Sequence, residues 1–388
     1  MATFSVRFLG CKVSQTDAQQ VRERLLADGH RETGEGADVA VVNACCVTHE
    51  AVSKSRQAVS RAARLHGRVY VTGCGANLAG AFAGAAPNVR VVDRRSEDTP
   101  AFVAGDVGPI GCVQADARLD RVRAFVKVQD GCSFSCGFCV VPLVRGASRS
   151  RRAAAVLTEV RRRVTQGHRE IVLTGINLGC YRDREAGVRL ADLVREAGAV
   201  PGLSRLRLSS IEVNHVDREL VRALRDTPTV ARHLHVPLQS GDDAVLRAMG
   251  RRYSVATYLR RVQPLADFNV TTDVIVGFPG EDAAAFARTL ELVEAAGITK
   301  VHVFPYSPRP GTKTAEDDSV PRAVKKERGA RCAPRRTRRA GAAGGRSLGP
   351  STPSSSIGRA VGTATTTRPG WSRRRRRSAP SSVLGRAT

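Results

Sequence analysis

The sequence contains no long apolar run and few aromatic residues. None of its apolar stretches approaches the roughly 20 residues that a membrane-spanning helix needs, so we do not expect a membrane protein. Aromatic residues make up 4% of the 388 positions, although the hydrophobic fraction of 42% is normal for a soluble globular chain. Residues 1–8 alternate like a strand and lack the basic patch and apolar stretch of a signal peptide. We therefore expect a cytoplasmic protein.

Acidic residues are scarce at one end of the chain. Residues 321–388 contain 18 Lys or Arg and one acidic residue, whereas residues 1–320 contain 44 basic and 35 acidic residues. The formal net charge of +26 favours a polyanionic partner, and nucleic acid is the first candidate. From about residue 329 no apolar periodicity remains, and Arg, Ala, Gly, Ser and Thr dominate. We expect this tail to be disordered, because it cannot bury enough apolar surface to fold alone.

Two blocks ahead of the tail alternate strand and helix patterns. The first predicts a parallel α/β sheet, with strands at 4–9, 39–42 and 69–72 and helices at 16–27 and 49–65. The second predicts a partial (β/α)6 barrel, in which ligands gather at the carboxyl ends of the strands. Its six candidate strands cover residues 124–129, 170–174, 205–209, 233–236, 271–276 and 301–304. Residues 94–119 between the blocks have no clear period and predict a linker.

Three of the ten cysteines lie in one glycine-flanked loop at the predicted mouth of the barrel. Cys132, Cys136 and Cys139, here called the core cysteines, are spaced C-x3-C-x2-C. In a reducing cytosol, cysteines in such a pattern indicate metal binding rather than disulfides. Three thiolates can hold three irons of a four-iron cluster and leave the fourth iron open for a small ligand. The alternative, structural zinc, requires four protein ligands, and no fourth Cys or His lies in this loop.

A second set of three cysteines follows the predicted strands of the first block. Cys11, Cys45 and Cys74, here called the N-terminal cysteines, each lie two to three residues beyond a strand end. Because the ends of parallel strands share one edge of a sheet, the three thiolates can converge. Any one of these cysteines alone is more often a core residue, but three at equivalent positions indicate a common site.

These motifs resemble those of the radical S-adenosylmethionine (SAM) methylthiotransferases. The core cysteines with Pro142 and Arg145-Gly146 match the pattern Cys-x3-Cys-x2-Cys-x2-Pro-x2-Arg-Gly of that family. The resemblance covers about residues 3–328. It implies that a four-iron cluster on the core cysteines reduces SAM to a 5′-deoxyadenosyl radical. The cofactor then performs the difficult chemistry while the protein positions the substrate.

The N-terminal cysteines are similar to the ligands of a second, auxiliary four-iron cluster in the same family. The resemblance implies that this cluster handles the transferred sulfur. Cys45 matches the family's ligand, and Cys46 stands where the family usually has Ser or Thr. The chain departs from the family pattern at Ser14, usually Asn, and at Ala44, usually Thr, but neither change removes a ligand. Cys112, Cys180 and Cys332 match no motif.

Further family-like segments end several predicted barrel strands, where SAM is expected. Polar side chains there are candidates to contact its ribose, amino acid or adenine, and a structural hydrogen bond is the equal alternative for each. These candidates are Thr174, Ser209, Glu212, Gln239 and Asp273. His233 and His235 are expected to lie on alternate faces of one strand, so that at most one faces the site.

The resemblance is strongest to the branch that acts on N6-threonylcarbamoyladenosine in tRNA. That branch implies methylthiolation of adenosine C2 beside the anticodon, with one SAM as methyl source and a second as radical source. The alternatives are isopentenyladenosine in tRNA, a ribosomal protein side chain, or a truncated family member without function. A flavodoxin or ferredoxin is the implied electron donor. Arg145, Arg149, Arg151 and Arg152 are candidates for RNA phosphate contacts, against the alternative of a solvated basic face.

The sequence predicts three segments. Residues 1–110 form the N-terminal domain with the auxiliary cluster, residues 120–328 form the radical SAM core, and residues 329–388 form a basic low-complexity tail. The resemblance implies a β-barrel RNA-binding domain at the tail's position. Because the family pattern stops after Lys325-Lys326-Glu327-Arg328, we hypothesise a frameshift near Gly329. The alternative is a native basic tail that binds RNA electrostatically.

Overall fold

The computed structural model describes residues 1–93, 97–108 and 122–332. Residues 333–388 of the predicted tail and residues 94–96 and 109–119 of the predicted linker lie outside these residues, whereas tail residues 329–332 form the end of a helix. Among the described helices, none combines the length and the hydropathy required to cross a bilayer. The described residues belong to one compact unit.

The first block forms a five-stranded sheet in which every pairing is parallel, as predicted. The strand order is β2-β1-β3-β4-β5. The strands are β1 (Thr3–Phe8), β2 (Arg31–Glu32), β3 (Val39–Asn43), β4 (Arg68–Thr72) and β5 (Val89–Val91). The helices are α1 (Lys12–Ala27), α2 (His49–Leu65) and α3 (Thr99–Val107), the last within the predicted linker.

The register of this sheet aligns the ends of its three central strands. Phe8 at the end of β1 pairs with Asn43 at the end of β3, and Asn43 pairs with Thr72 at the end of β4. The loops that leave these three strands therefore begin side by side at one edge of the sheet. This edge carries the N-terminal cysteines.

The second block forms the predicted partial barrel of six parallel strands. Its order is β6-β8-β11-β12-β13-β14, and an isolated parallel bridge between Ser210, just beyond β11, and His235 of β12 joins the two halves. These strands are β6 (Arg123–Asp130), β8 (Glu170–Gly175), β11 (Arg205–Leu208), β12 (His233–His235), β13 (Asn269–Val276) and β14 (Lys300–Pro305). Short strand β7 (Arg149–Ser150) pairs antiparallel with β6, and β9 (Arg182–Asp183) forms a hairpin with β10 (Val188–Arg189).

Helices pack against the outside of the barrel and bury its largest hydrophobic core. Alternate strand residues such as Ile171 and Leu173 face these helices, so their neighbours Val172 and Thr174 face the interior. These helices are α5 (Ala153–Thr165), α6 (Leu190–Gly198), α7 (Arg218–Asp226), α8 (Asp243–Ala248), α9 (Val255–Val262), α10 (Ala283–Ala295) and α11 (Arg322–Cys332). The short helix α4 (Val141–Arg145) instead shares an apolar cluster with Cys46 and Cys74 of the first block. The predicted α/β fold class of the two blocks is confirmed.

Helix α1 connects the two blocks, because it contacts both the N-terminal sheet and strands β6 and β8 of the barrel. It begins at Lys12, directly after Cys11, rather than at the predicted residue 16. The face it buries includes Ser14, Thr16 and Asp17. A buried face with these polar residues has no apolar periodicity, which explains why the sequence pattern placed the helix start too late.

Candidate metal centres

The core cysteines lie in a tightly held loop at the carboxyl end of β6. Gly131, which opens the loop, has a φ of +67°, and a Cβ at this position would lie 2.1 Å from the Ala147 carbonyl oxygen. Only glycine fits there. The Cys132 amide donates to the Gly146 carbonyl oxygen at 3.0 Å, so the Arg-Gly segment of the motif fixes the start of the cysteine loop.

Hydrogen-bond donors surround the core thiols. The Phe134 amide lies 3.4 Å from Cys132 Sγ, Asn177 Nδ2 lies 3.9 Å from the same sulfur, and Arg251 Nη1 lies 3.4 Å from Cys136 Sγ. Burial and the two neighbouring thiols raise the pKa of Cys139 to about 12. A thiolate in these surroundings needs positive charge beside it, which an iron cluster supplies.

The N-terminal cysteines also meet at one edge, and a close backbone approach brings them together. Gly10 has a φ of +116°, and a Cβ there would lie 3.1 Å from Cys45 Sγ, so the loop after β1 touches the loop after β3. Ser14, one of the two departures from the family pattern, lies with its hydroxyl 3.8 Å from Cys11 Sγ. Cys45 and Cys74 are buried, whereas Cys11 is exposed.

Cys45 and Cys46 have different surroundings, although they are neighbours in sequence. Burial raises the pKa of Cys45, but the amides of Val47 and Cys46 donate to its sulfur and oppose that rise. Backbone amides directed at a sulfur favour a thiolate ligand. Cys46 instead faces an apolar cluster with Val140 and Val144, and its thiol hydrogen-bonds to Cys74.

Both cysteine sets fit iron–sulfur clusters better than a mononuclear metal. Within the described ranges, no three His, Cys, Asp or Glu side chains converge tightly enough to hold a single ion. A four-iron cluster requires less convergence, because each thiolate binds a different iron. The all-sulfur donor sets, the converging loops and the N–H groups directed at the sulfurs match this requirement.

Arg145 does not face solvent, so its predicted role as a phosphate contact is wrong. Its side chain is 4% exposed. Its Nε donates to Cys74 Sγ at 2.9 Å, its Nη1 to both Asp130 oxygens at 3.0 and 3.2 Å, and its Nη2 to Asp17 at 2.7 Å. Lys127 joins the same two carboxylates, at 2.5 Å from Asp17 and 3.1 Å from Asp130. We call Asp17, Lys127, Asp130 and Arg145 the buried ionic network.

The network lies at the contact between the two blocks, and of its four members only Arg145 is a candidate that the sequence indicates. Asp17 belongs to α1 of the N-terminal block, whereas Lys127 and Asp130 belong to β6 of the barrel. The other motif arginines keep their phosphate roles as predictions. They are partly exposed, and each also has a carboxylate partner: Glu97 for Arg149, Glu159 for Arg151 and Glu185 for Arg152.

Three of the five predicted SAM contacts, Thr174, Ser209 and Gln239, lie near or just beyond the carboxyl ends of barrel strands. Thr174 is buried, and its hydroxyl has no hydrogen-bond partner among the residues that the structure describes. The Ser209 hydroxyl accepts from the Gly175 amide at 3.4 Å. Gln239 has a φ of +69°, the single positive value of a described residue other than glycine. Such strain is frequent at functional sites.

Glu212 and Asp273, the two acidic candidates, have different partners. Glu212 lies 3.6 Å from Arg251, the arginine that donates to Cys136, so it borders the core-cysteine loop. Asp273, in β13, lies 3.2 Å from His235 Nε2. The roles of all five residues toward SAM stay predictions.

His233 and His235 lie on the same face of β12, so the expectation of alternate faces is wrong. Both approach the Thr271 hydroxyl, His235 Nδ1 at 2.9 Å and His233 Nε2 at 3.4 Å. The reason is elementary, since residues two apart in a strand share a face.

Cys180, which matches no motif, has its sulfur 3.3 Å from His215 Nε2.

Comparison with known proteins agrees with this geometry. Residues 126–293 match the family described as the Radical SAM superfamily, and residues 3–92 match Uncharacterized protein family UPF0004. The threonylcarbamoyladenosine tRNA methylthiotransferase MtaB of Thermotoga maritima is 37% identical over 349 residues, covering 84% of this chain and 80% of that protein. MtaB of Bacillus subtilis is 36% identical over 355 residues, covering 84% of this chain and 79% of the relative.

Solved structures share the fold at low sequence identity. The radical S-adenosylmethionine methyltransferase TsrM of Kitasatospora setae has a TM-score of 0.58 and is 14% identical, covering 81% of this chain and 77% of TsrM. The cobalamin-dependent radical enzyme OxsB has a TM-score of 0.52 and is 10% identical, covering 86% of this chain and 55% of OxsB. At such identities the likeness concerns the fold alone.

Proposed function

This chain belongs to the radical SAM methylthiotransferase family, and we propose that it methylthiolates C2 of N6-threonylcarbamoyladenosine beside the anticodon of tRNA. The observation that carries the proposal is the presence of two three-cysteine sites, one at the edge of each sheet, joined through Arg145. The relatives named for this reaction match 84% of the chain, which supports this choice of substrate.

Membership of the family implies SAM and a four-iron cluster, and we infer that a second cluster binds to the N-terminal cysteines. A cluster on the core cysteines, when bound, supplies the electron that cleaves SAM to a carbon radical. The chain's own groups hold the site: the Phe134 amide, Asn177 and Arg251 direct N–H groups at the core sulfurs. Glu212, beside Arg251, is the candidate partner for the amino group of SAM.

Radical chemistry is required by the substrate position. The C2 hydrogen of adenine is only weakly acidic, so a side chain acting as general base cannot remove it at neutral pH. The protein's task is therefore to orient the base between the two cysteine sites and to exclude water.

Three further parts of the proposal concern organisation and partners. We assign residues 1–110 to the auxiliary-cluster domain, 120–328 to the radical SAM core and 329–388 to the basic tail. The partners are tRNA and an electron donor such as a flavodoxin or ferredoxin. A cytoplasmic location fits both.

The deciding experiment compares modified nucleosides in tRNA from strains with and without this gene. Loss of the methylthio group from threonylcarbamoyladenosine in the deletion strain is expected. Loss from isopentenyladenosine instead would assign the chain to the competing branch.

In vitro, reconstituted protein with SAM and a reductant should form 5′-deoxyadenosine and hold about eight irons. A Cys132→Ala variant should form none, and the absence of 5′-deoxyadenosine with the unaltered chain would refute radical SAM activity.

A further inference from the structure

We propose that Arg145 is a positioning residue that binds the Cys74 thiolate and fixes the auxiliary-cluster site to the core-cysteine loop. The inference rests on the proposed function, because it assumes that Cys74 is a cluster ligand. It assigns Arg145 a role in the electronic properties of the auxiliary cluster in addition to its contribution to packing.

The guanidinium of Arg145 uses each of its three nitrogens for a different partner. Nε donates to Cys74 after β4, Nη1 to Asp130 at the end of β6, and Nη2 to Asp17 in α1. A planar guanidinium presents its donors in a rigid fork, so these three partners together determine its orientation. Bonds from a charged donor to charged acceptors are among the strongest hydrogen bonds in proteins.

A continuous set of contacts leads from one cysteine site to the other. Asp130 accepts from Arg145 on one side and from the Gly131 amide, at 2.8 Å, on the other. Gly131 directly precedes Cys132. Lys127 binds Asp17 and Asp130 from the opposite side, so neither carboxylate can move without breaking a buried ion pair. The distance between Cys74 and Cys132 is thereby fixed through Arg145 and Asp130.

The Nε–H···Sγ contact makes Arg145 more than a packing residue. A buried cation beside a sulfur favours the thiolate over the thiol. Hydrogen bonds to cluster sulfurs set the reduction potential, and positive charge near a cluster stabilises its reduced form. Lysine at this position would keep the charge, but as a point charge it cannot reach three acceptors in one plane.

Arg163 provides a matched control, since it is also a buried arginine that joins the two blocks. Its side chain is 8% exposed and pairs with Glu23 of α1 and Glu159 of α5. Among the residues that the structure describes, no cysteine hydrogen-bonds to Arg163. Arg163→Gln therefore removes a comparable contact between the blocks but leaves the sulfur environment unchanged.

The test uses the full chain with the three core cysteines changed to alanine, so that only the auxiliary site binds iron. Arg145→Gln, Arg145→Lys and Arg163→Gln are added separately to this parent. Iron and sulfide are counted, iron release to a chelator is timed, and the midpoint potential is measured by EPR-monitored redox titration. Circular dichroism checks that each variant is folded.

We expect Arg145→Gln to shift the midpoint potential to more negative values and to release iron about tenfold faster than the parent. Arg145→Lys should have a midpoint potential and an iron-release rate between those of the parent and Arg145→Gln. If Arg145→Gln does not fold, the comparison is made with Arg145→Lys alone. Arg163→Gln should leave the potential unchanged. The inference is overturned if the Arg145 variants have the same potential as Arg163→Gln. If the parent itself binds no iron, the proposed auxiliary cluster fails and the inference fails with it.

Discussion

Replacing Asp17 by Asn tests whether the buried ionic network stabilises the fold. Asp17 accepts from Lys127 Nζ at 2.5 Å and from Arg145 Nη2 at 2.7 Å, and its side chain is 4% exposed. The amide of Asn has nearly the same size, so the substitution removes a negative charge without opening a cavity. It leaves two buried cations facing one remaining carboxylate, that of Asp130.

The expected cost follows from burial. Removing one partner of a buried ion pair costs roughly 3–5 kcal/mol, because the other charge stays desolvated without compensation. The matched surface substitution is Glu35→Gln, which breaks the Arg61–Glu35 pair with side chains 61% and 69% exposed. Exposed pairs contribute about 0–1 kcal/mol, so this control should change the free energy of unfolding by less than about 1 kcal/mol.

The assay is urea unfolding of metal-free protein followed by far-UV circular dichroism. Asp17→Asn should lose several-fold more stability than Glu35→Gln. Adding Lys127→Met to Asp17→Asn removes the excess cation and leaves Arg145 paired with Asp130, so the double variant should lose less stability than the two single losses together, with a coupling of about 1–3 kcal/mol. A loss below about 1 kcal/mol for Asp17→Asn, or strict additivity in the double variant, would show that the network does not stabilise the contact between the blocks.

Three further outcomes are expected. Burial opposes ionisation of Glu23, but hydrogen bonding to Arg163 lowers its pKa overall from the ordinary 4.5. Its contribution to stability is therefore complete above pH 4.5 and is lost as the pH falls through the lowered pKa. Glu23→Gln should make the urea midpoint depend less on pH in this range, and an unchanged pH dependence would contradict the pairing. Iron counting should show that Cys45→Ala loses the auxiliary cluster whereas Cys46→Ser keeps it, and equal losses would mean that both cysteines are ligands. Deleting residues 333–388 should lower the salt dependence of tRNA binding if the basic tail contacts RNA, and an unchanged slope would exclude that contact.

The placement of the six candidate cysteines at two strand edges was predictable because its signal is local. Each N-terminal cysteine follows a strand that the apolar pattern already marks, and parallel pairing brings those strand ends together. The core cysteines needed no tertiary information, since their spacing alone indicates a cluster loop. Strand positions were predicted for the same reason, because buried parallel strands are nearly continuous apolar runs.

The role of Arg145 was not predictable from the same motif, because it depends on how two separately encoded blocks pack. An arginine after a cysteine loop in a basic chain suggests phosphate contact, and nothing within ten residues indicates that it is buried. Its partners Asp17 and Cys74 lie 128 and 71 residues away, on the other block. Because Arg145 belongs to the core-cysteine motif and binds a sulfur of the other cysteine site, it can fix the position of the two sites relative to each other. Since the proposed reaction uses both sites on one adenosine, their separation has to be held constant, and the buried ionic network supplies a physical means of doing so.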